Sequence, residues 1–515
     1  MGAKIHSQDI VAIIPLALLG LFVYRYWSKP HLPLPPGPRK LPFLGNLLNF
    51  PSGFQWETFQ TWGKTYNSDI LHLSIAGSSL IILNSTEAVR DLLEKRSAIY
   101  SGRPKLTMIN EVMGFSWLMP FMPYGPEWKE RRRLFLRHFH PNNDEIHKDQ
   151  EVRYTRRLLL CLLQRPEDYM RHVRHSVGGT LHSIAYGGET KPFDDPFITT
   201  AEEVMECLSD AALASTMIVE VVPFLTPILS YILPAVAFTR TRLQWKELAS
   251  RFRDDPFWNT HKSIMDGMAQ PSFVSRALED VQPSDDSAAQ HAIIRDVASI
   301  VFIGGSSTIN AILHTFILAM LCFPEAQSKA QEELDRIVGR GRLPEFSDQP
   351  HLPYLDALLK EVHRWRPAGP LAIPHFLEKD DEYKGYHIPE HSIVIANVWA
   401  MLHDENIYPN PDAFNPERFL KNGYPDLSVR DPATLAFGFG RRICPGAHIG
   451  QSLQWIVAAS ILSAFKISRA IDENGNEIKP TAEYRPSVTF QPLPFKCKIE
   501  PRDKRAEALI RMGIE

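Results

Sequence analysis

Sulfur is scarce and unpaired in this chain. Its 515 residues include five cysteines, Cys161, Cys207, Cys322, Cys444 and Cys497, odd in number, widely scattered and without a CxxC pair. That argues against both a disulfide framework and a zinc site, and it fits a reducing compartment. The sequon at Asn84-Ser85-Thr86 is therefore not expected to carry glycan. Excess charge is missing too. With 56 Lys+Arg against 59 Asp+Glu the net charge is −3, which leaves no broad basic surface for nucleic acid. There is no glycine-rich nucleotide-binding motif and no flavin segment. Nor does any repeat, Gly/Ser linker or low-complexity tract divide the body. The length would allow about three domains, but one large domain behind a short N-terminal extension is the simpler expectation. Hydrophobic residues at 44% and charged residues at 22% suit a substantial core.

What is present begins with a charge-free run, Ile10 to Tyr24, followed by Tyr26 and Trp27. It is shorter than the roughly 20 residues that span a bilayer comfortably. No small-x-small cleavage site follows, and Arg25, Lys29, Arg39 and Lys40 mark that side as cytoplasmic. Residues 1–30 read as an uncleaved single-pass anchor. A stiff proline-rich hinge over 32–42 follows it, and residues 31–515 form the body. Within the body the periodicity is mostly helical, as at 87–96, 127–139, 144–163 and 324–338. Short β-type runs occur at 70–74, 79–83, 392–396 and 487–491. The expected fold class is mainly α, an α-rich α+β domain with small sheets.

Near the C-terminus stands Phe437-Gly438-Phe439-Gly440-Arg441-Arg442-Ile443-Cys444-Pro445-Gly446. Glycines 438 and 440 permit φ > 0 and close approach to a flat group. Pro445 suits an early helical position, and 447–465 is apolar enough for a buried helix. The helix dipole and free N–H groups would favour the Cys444 thiolate. Taken alone, one such cysteine is more often a buried small hydrophobe. The segment, however, resembles the cysteine loop of the cytochrome P450 family at Phe437, Gly440, Arg442, Cys444 and Gly446. The resemblance implies that Cys444 is the axial ligand of the iron of haem b, a thiolate that pushes electron density onto a bound ligand.

Other segments carry the same resemblance. A long apolar helix from about 295 to 323 contains Gly304-Gly305-Ser306-Ser307-Thr308. Its polar residues favour a core helix over a membrane span. Thr308 can bond back to the Gly304 carbonyl. The resemblance makes this the oxygen-binding groove, with Gly304, Gly305, Ser307 and Thr308 as its catalytic set. Ser307 departs from the acid that the family commonly has there, which puts the proton route in doubt. Glu361 and Arg364, three apart on a helix, together with Arg418 match the family's buried Glu–Arg–Arg set, a structural role. Trp128, Arg132, His375 and Arg442 fall where haem propionates are bound; arginine meets carboxylate bidentately. Lys129, Arg131 and Arg133 read equally well as a solvated basic face. The stretch from Met108 to Met122, rich in methionine and aromatics, reads as core or as a pliable pocket wall, with Ile303, 368–373 and 487–489 as further wall segments. His172, His175 and His182 share a helical stretch without carboxylate or thiolate, and are expected to be exposed.

The function implied is a haem-thiolate monooxygenase of microsomal, fungal secondary-metabolism type. It would sit at the endoplasmic reticulum membrane with its catalytic domain in the cytosol. Its substrate would be a lipophilic small molecule. NADPH electrons would arrive through a separate NADPH–cytochrome P450 reductase, with cytochrome b5 as an additional partner. Two other readings stay open: a haem-thiolate isomerase, lyase or dehydratase that needs no external electrons, and a non-catalytic haem or lipophile-binding protein.

Overall fold

A computed structural model of the chain describes residues 32–513 apart from 144, 192–194, 216–234, 283–285 and 488. The anchor expected at 1–30 lies outside these residues. The proline-rich segment that follows runs along the first strand. Pro36 O accepts from His72 N at 2.9 Å, and a Cβ at Gly37 would sit on the His72 carbonyl oxygen.

The body is mostly helical with small sheets. After α1 (Gln55–Thr65) come β1 (Ile70–Ile75) and β2 (Ser78–Leu83). Then follow α2 (Pro126–His138), α3 (Glu145–Gln164), α4 (Tyr169–Tyr186), α5 (Pro196–Ser215), α6 (Ala235–Met265), α7 (Phe273–Glu279) and α8 (Ser287–Cys322). The second half contributes α9 (Pro324–Ile337), α10 (Pro353–Trp365), β3 (His375–Phe376), β4 (Ile393–Ala396) and α11 (Ala447–Ala464). The four strands make one sheet in the order β1-β2-β4-β3, with β2 and β4 parallel.

The helix boundaries follow local chemistry. Asp286 caps α8 through its carboxylate, which accepts from Ala288 N and Ala289 N. Pro126, Pro324 and Pro353 open α2, α9 and α10, the position where a missing N–H costs nothing. Gly339, at φ 77°, stands just past α9. α8 is the one helix among the described residues long and apolar enough to cross a membrane, and it is mostly buried inside the fold. It is therefore the core axis against which α4, α2 and α11 pack. At Gly305 a Cβ would lie 2.9 Å from Leu181 Cδ1 of α4, so this glycine sets the helix–helix distance.

Three sequence readings are corrected. Of the described residues in 487–491 only Gln491 is in a strand, Gln491–Pro492 pairing with Tyr484–Arg485, and Phe490 N bonds to Ala368 O instead. Pro445 precedes α11, whose N-cap is Gly446. The three histidines of α4 are not on an open face. His172 is 4% exposed, and its ring bonds to Arg165 O at 2.9 Å. His182 packs on Phe197 with ring centroids 4.3 Å apart, and burial pushes its pKa down to about 4. α4 is buried on nearly every side. No group of three metal-ligating side chains occurs among the described residues.

Candidate active site

The cysteine loop is shaped by its glycines. Gly438 has φ 81° and Gly440 φ 55°, conformations that a side chain strains. A Cβ on Gly440 would sit on the carbonyl oxygen of Leu93, so its smallness serves a protein contact. Phe437 O accepts from Cys444 N at 2.7 Å, closing the loop. Cys444 is exposed, so its thiol is open to a ligand. Burial pushes its thiol pKa up, while the N–H of Gly446 and the Arg132 guanidinium pull it down.

Beside the loop lies a cluster of cations. Arg442 Nε donates to Ser101 O and Nη2 to Met122 O, both at 2.9 Å. Its Nη1 is buried without a partner among the described residues. The guanidinium lies 4.4 Å from the Trp128 ring centroid, and Arg132 lies 5.3 Å from the same ring. Arg103, which sequence reasoning missed, joins them: Nε donates to Pro120 O at 2.9 Å, and Nη1 to Ile373 O and Pro374 O at 2.8 Å. His375 shares a 2.7 Å bond with Tyr100 O. Burial, then neighbouring Arg132, lowers Arg442 to about 10. Burial, then Arg103, lowers His375 to about 3. No carboxylate stands within ion-pair distance of Arg103, Arg132 or Arg442 among the described residues. Arg442 is buried and Arg103 and Arg132 are half-buried; cations withdrawn from water in this way are stabilised by an anion, and a group bearing two carboxylates fits them. The only sequence sign of Arg103 is its place between Gly102 and Pro104, with Lys105 two residues on.

The middle of α8 is open as well. Gly304 and Thr308 are exposed there, although Val301–Ile303 and Ile309–Asn310 on either side are buried. A Cβ at Gly304 would meet nothing closer than Ile300 Cδ1 at 3.9 Å. So the two glycines divide their work: Gly305 packs on α4 and Gly304 faces open space. Thr308 Oγ1 donates to Gly304 O at 3.0 Å. Ser307 receives a hydroxyl bond from Thr489 at 3.4 Å. Ile309 lies against Gly450 of α11, which ties this helix to the one that starts at the cysteine loop.

Glu361, Arg364 and Arg418 are brought together, away from the thiol. Arg364 Nε and Nη2 donate to Glu361 at 2.7 and 2.8 Å, Arg418 Nε at 3.1 Å, and Asn415 N at 2.7 Å. Glu361 and Arg364 are both 0% exposed. From the same helix, His363 reaches Gln454 of α11 at 2.8 Å, and its ring centroid lies 5.6 Å from that of Phe437. The set therefore braces the helix that backs the cysteine loop. Of the basic trio, Lys129 and Arg133 are exposed. Arg131 instead pairs at 2.8 Å with Asp296, which is 2% exposed and also bound by Arg253. Met108, Met113, Phe115, Trp117, Met119 and Met122 all belong to the buried core.

A group bearing a metal and two carboxylates would engage the Cys444 thiol and the neighbouring cations. Comparison with known proteins agrees. Residues 35–499 match the family model described as Cytochrome P450, and the chain belongs to that family. It is 45% identical over 505 residues, 97% of this chain and 96% of the relative, to cytochrome P450 monooxygenase ple1 of Rhodocybe pseudopiperita. It is 42% identical over 512 residues, 98% of each chain, to cytochrome P450 monooxygenase 98 of Postia placenta. Tryptamine 4-monooxygenase of Psilocybe cyanescens is 40% identical over 498 residues, 96% of this chain and 98% of its own. The protein is thus an oxidoreductase, a monooxygenase of a family whose cofactor is a thiolate-bound haem.

Proposed function

We propose that this chain places one oxygen atom of O2 into a lipophilic small molecule of secondary metabolism, releasing the other as water. An electron pair from NADPH, passed on by a separate reductase, and a pair of protons balance the reaction. Residues 1–30 would tether it to the endoplasmic reticulum membrane with the body in the cytosol, and exposed Lys129 and Arg133 suit an acidic electron donor. The relative named for oxygenating tryptamine supports a small-molecule substrate.

The observation that carries the reading is an accessible thiol, Cys444, beside a cluster of half-buried and buried arginines without a carboxylate partner among the described residues. Cys444 would ligate the haem iron. Arg103, Arg132, Arg442, Trp128 and His375 would hold the two carboxylates, within a loop shaped by Phe437 and Gly440. When bound, the haem supplies oxygen activation, and the thiolate strengthens its push. Gly304 leaves room on the opposite wall. Thr308, its proton turned to the Gly304 carbonyl, offers lone pairs to the chamber, where it and Ser307 would hold and pass protons. Glu361, Arg364 and Arg418 act structurally.

The test is the carbon monoxide difference spectrum of the reduced, haem-loaded full chain. A strongly red-shifted band that Cys444→Ala abolishes is expected. Folded, haem-loaded protein without that band, or a band that survives Cys444→Ala, overturns the assignment.

A further inference from the structure

The chamber wall on α8 carries one polar pair. Ser307 is half-buried and follows the buried Ser306. Its Oγ lies 3.4 Å from Thr489 Oγ1, and the next residue in that loop, Phe490, bonds through N to Ala368 O at 2.8 Å. One helical turn before Ser307 stands Ile303, 9% exposed, on the same face. The pair thus lies where α8, beside Ile303, meets the loop whose backbone is tied to Ala368.

Hydrogen-bond capacity decides what this pair can do. Each hydroxyl has one proton and two lone pairs. The bond at 3.4 Å engages one proton at the long limit of hydrogen bonding, and neither group has another partner among the described residues. Thr308 is already engaged by the Gly304 carbonyl at 3.0 Å. A wholly apolar ligand pressed against the pair would strip its water and return nothing. A ligand oxygen would complete it.

We infer that Ser307 and Thr489 form the polar anchor of the substrate chamber, and that the substrate is a lipophile already bearing a hydroxyl or carbonyl. The inference rests on the monooxygenase reading above. The anchored oxygen fixes which carbon is presented for oxygenation, so Ser307 and Thr489 determine specificity. A reaction that leaves an oxygen on an otherwise hydrocarbon skeleton, an earlier oxygenation or a hydration, must supply this substrate.

The experiment uses haem-loaded full chain without reductase, after its carbon monoxide band has been recorded. Matched probes, decalin against decalol and adamantane against adamantanol and adamantanone, are titrated by the spin-state shift of the haem spectrum. The oxygenated member should bind about tenfold more tightly, the size of one net hydrogen bond. Ser307→Ala and Thr489→Val should each bring the ratio close to one. Equal affinities in the unaltered chain, a preference that survives the double variant, or no response to any oxygenated probe overturns the anchor. A missing carbon monoxide band overturns the haem-thiolate reading instead, so the two failures are distinguished.

Discussion

Glu361→Gln removes one charge and almost no volume, which makes it the sharpest test of the buried ion set. The carboxylate receives N–H groups from Arg364, Arg418 and the Asn415 backbone, all at 3.1 Å or less. Arg364 is 0% exposed and its other N–H groups already reach Pro411 O and Ala413 O. It cannot turn to water when its counter-charge goes. An uncompensated buried guanidinium costs about 3–5 kcal/mol, a large part of the roughly 5–15 kcal/mol by which a protein is stable. Urea unfolding of the detergent-solubilised full chain, followed by tryptophan fluorescence and by the haem band, should show a large fall in midpoint and a poor yield of haem-loaded protein. Glu405→Gln is the control. Its partner Lys64 stands 3.4 Å away, and the two side chains are 69% and 70% exposed, so a change below about 1 kcal/mol is expected. Equal midpoints for the two variants would refute the claim that burial, not pairing, sets the cost.

Further outcomes follow from other parts of the molecule. Gly305→Ala puts a methyl 2.9 Å from Leu181 Cδ1 and should destabilise by about 1–3 kcal/mol, whereas Gly304→Ala should leave the thermal midpoint unchanged or raise it; the reverse order would overturn the division of labour between them. Thr308→Ala should divert electrons from product to hydrogen peroxide, measured as peroxide formed per NADPH with reductase present; unchanged partition moves the proton role to Ser307. Acid should destabilise the fold through its buried histidines. Burial lowers His72, His314 and His403 to about 3, below the unfolded value of about 6.5. The unfolded chain then binds more protons, so this contribution is complete above pH about 6.5 and is lost as pH falls towards 3. A melting temperature that falls across that range, less steeply in His314→Gln, is expected; a flat profile contradicts it.

What could be read from sequence depended on how local the cause was. The cysteine loop, the caps of α8 and α9 and the i,i+3 partners Glu361 and Arg364 lie within a few residues of each other, and periodicity and turn chemistry report them. Arg103 reaches Ile373 and Pro374 across 270 residues or more, and Arg131 finds Asp296 across 165; no window of sequence joins them. The α4 histidines were misread because polarity was taken for exposure, although α4 packs against both α3 and α8. Gly440 also lies against the Leu93 carbonyl, a contact visible only in three dimensions. Residues 487–491 alternate like a strand, but Ala368 takes the Phe490 N–H that a partner strand would need.

The parallel pairing of β2 with β4 has a consequence for synthesis. Leu80 meets Ile393 and Leu83 meets Ala396, so β2 leaves the ribosome about 310 residues ahead of its neighbour and, at 5–20 residues per second, waits roughly 15–60 s. Throughout that time one side of an apolar hairpin is an unsatisfied edge, open to any passing strand. A nascent chain with so long a wait needs its N-terminal end sheltered, and a membrane surface or a chaperone close to the exit tunnel would meet that need.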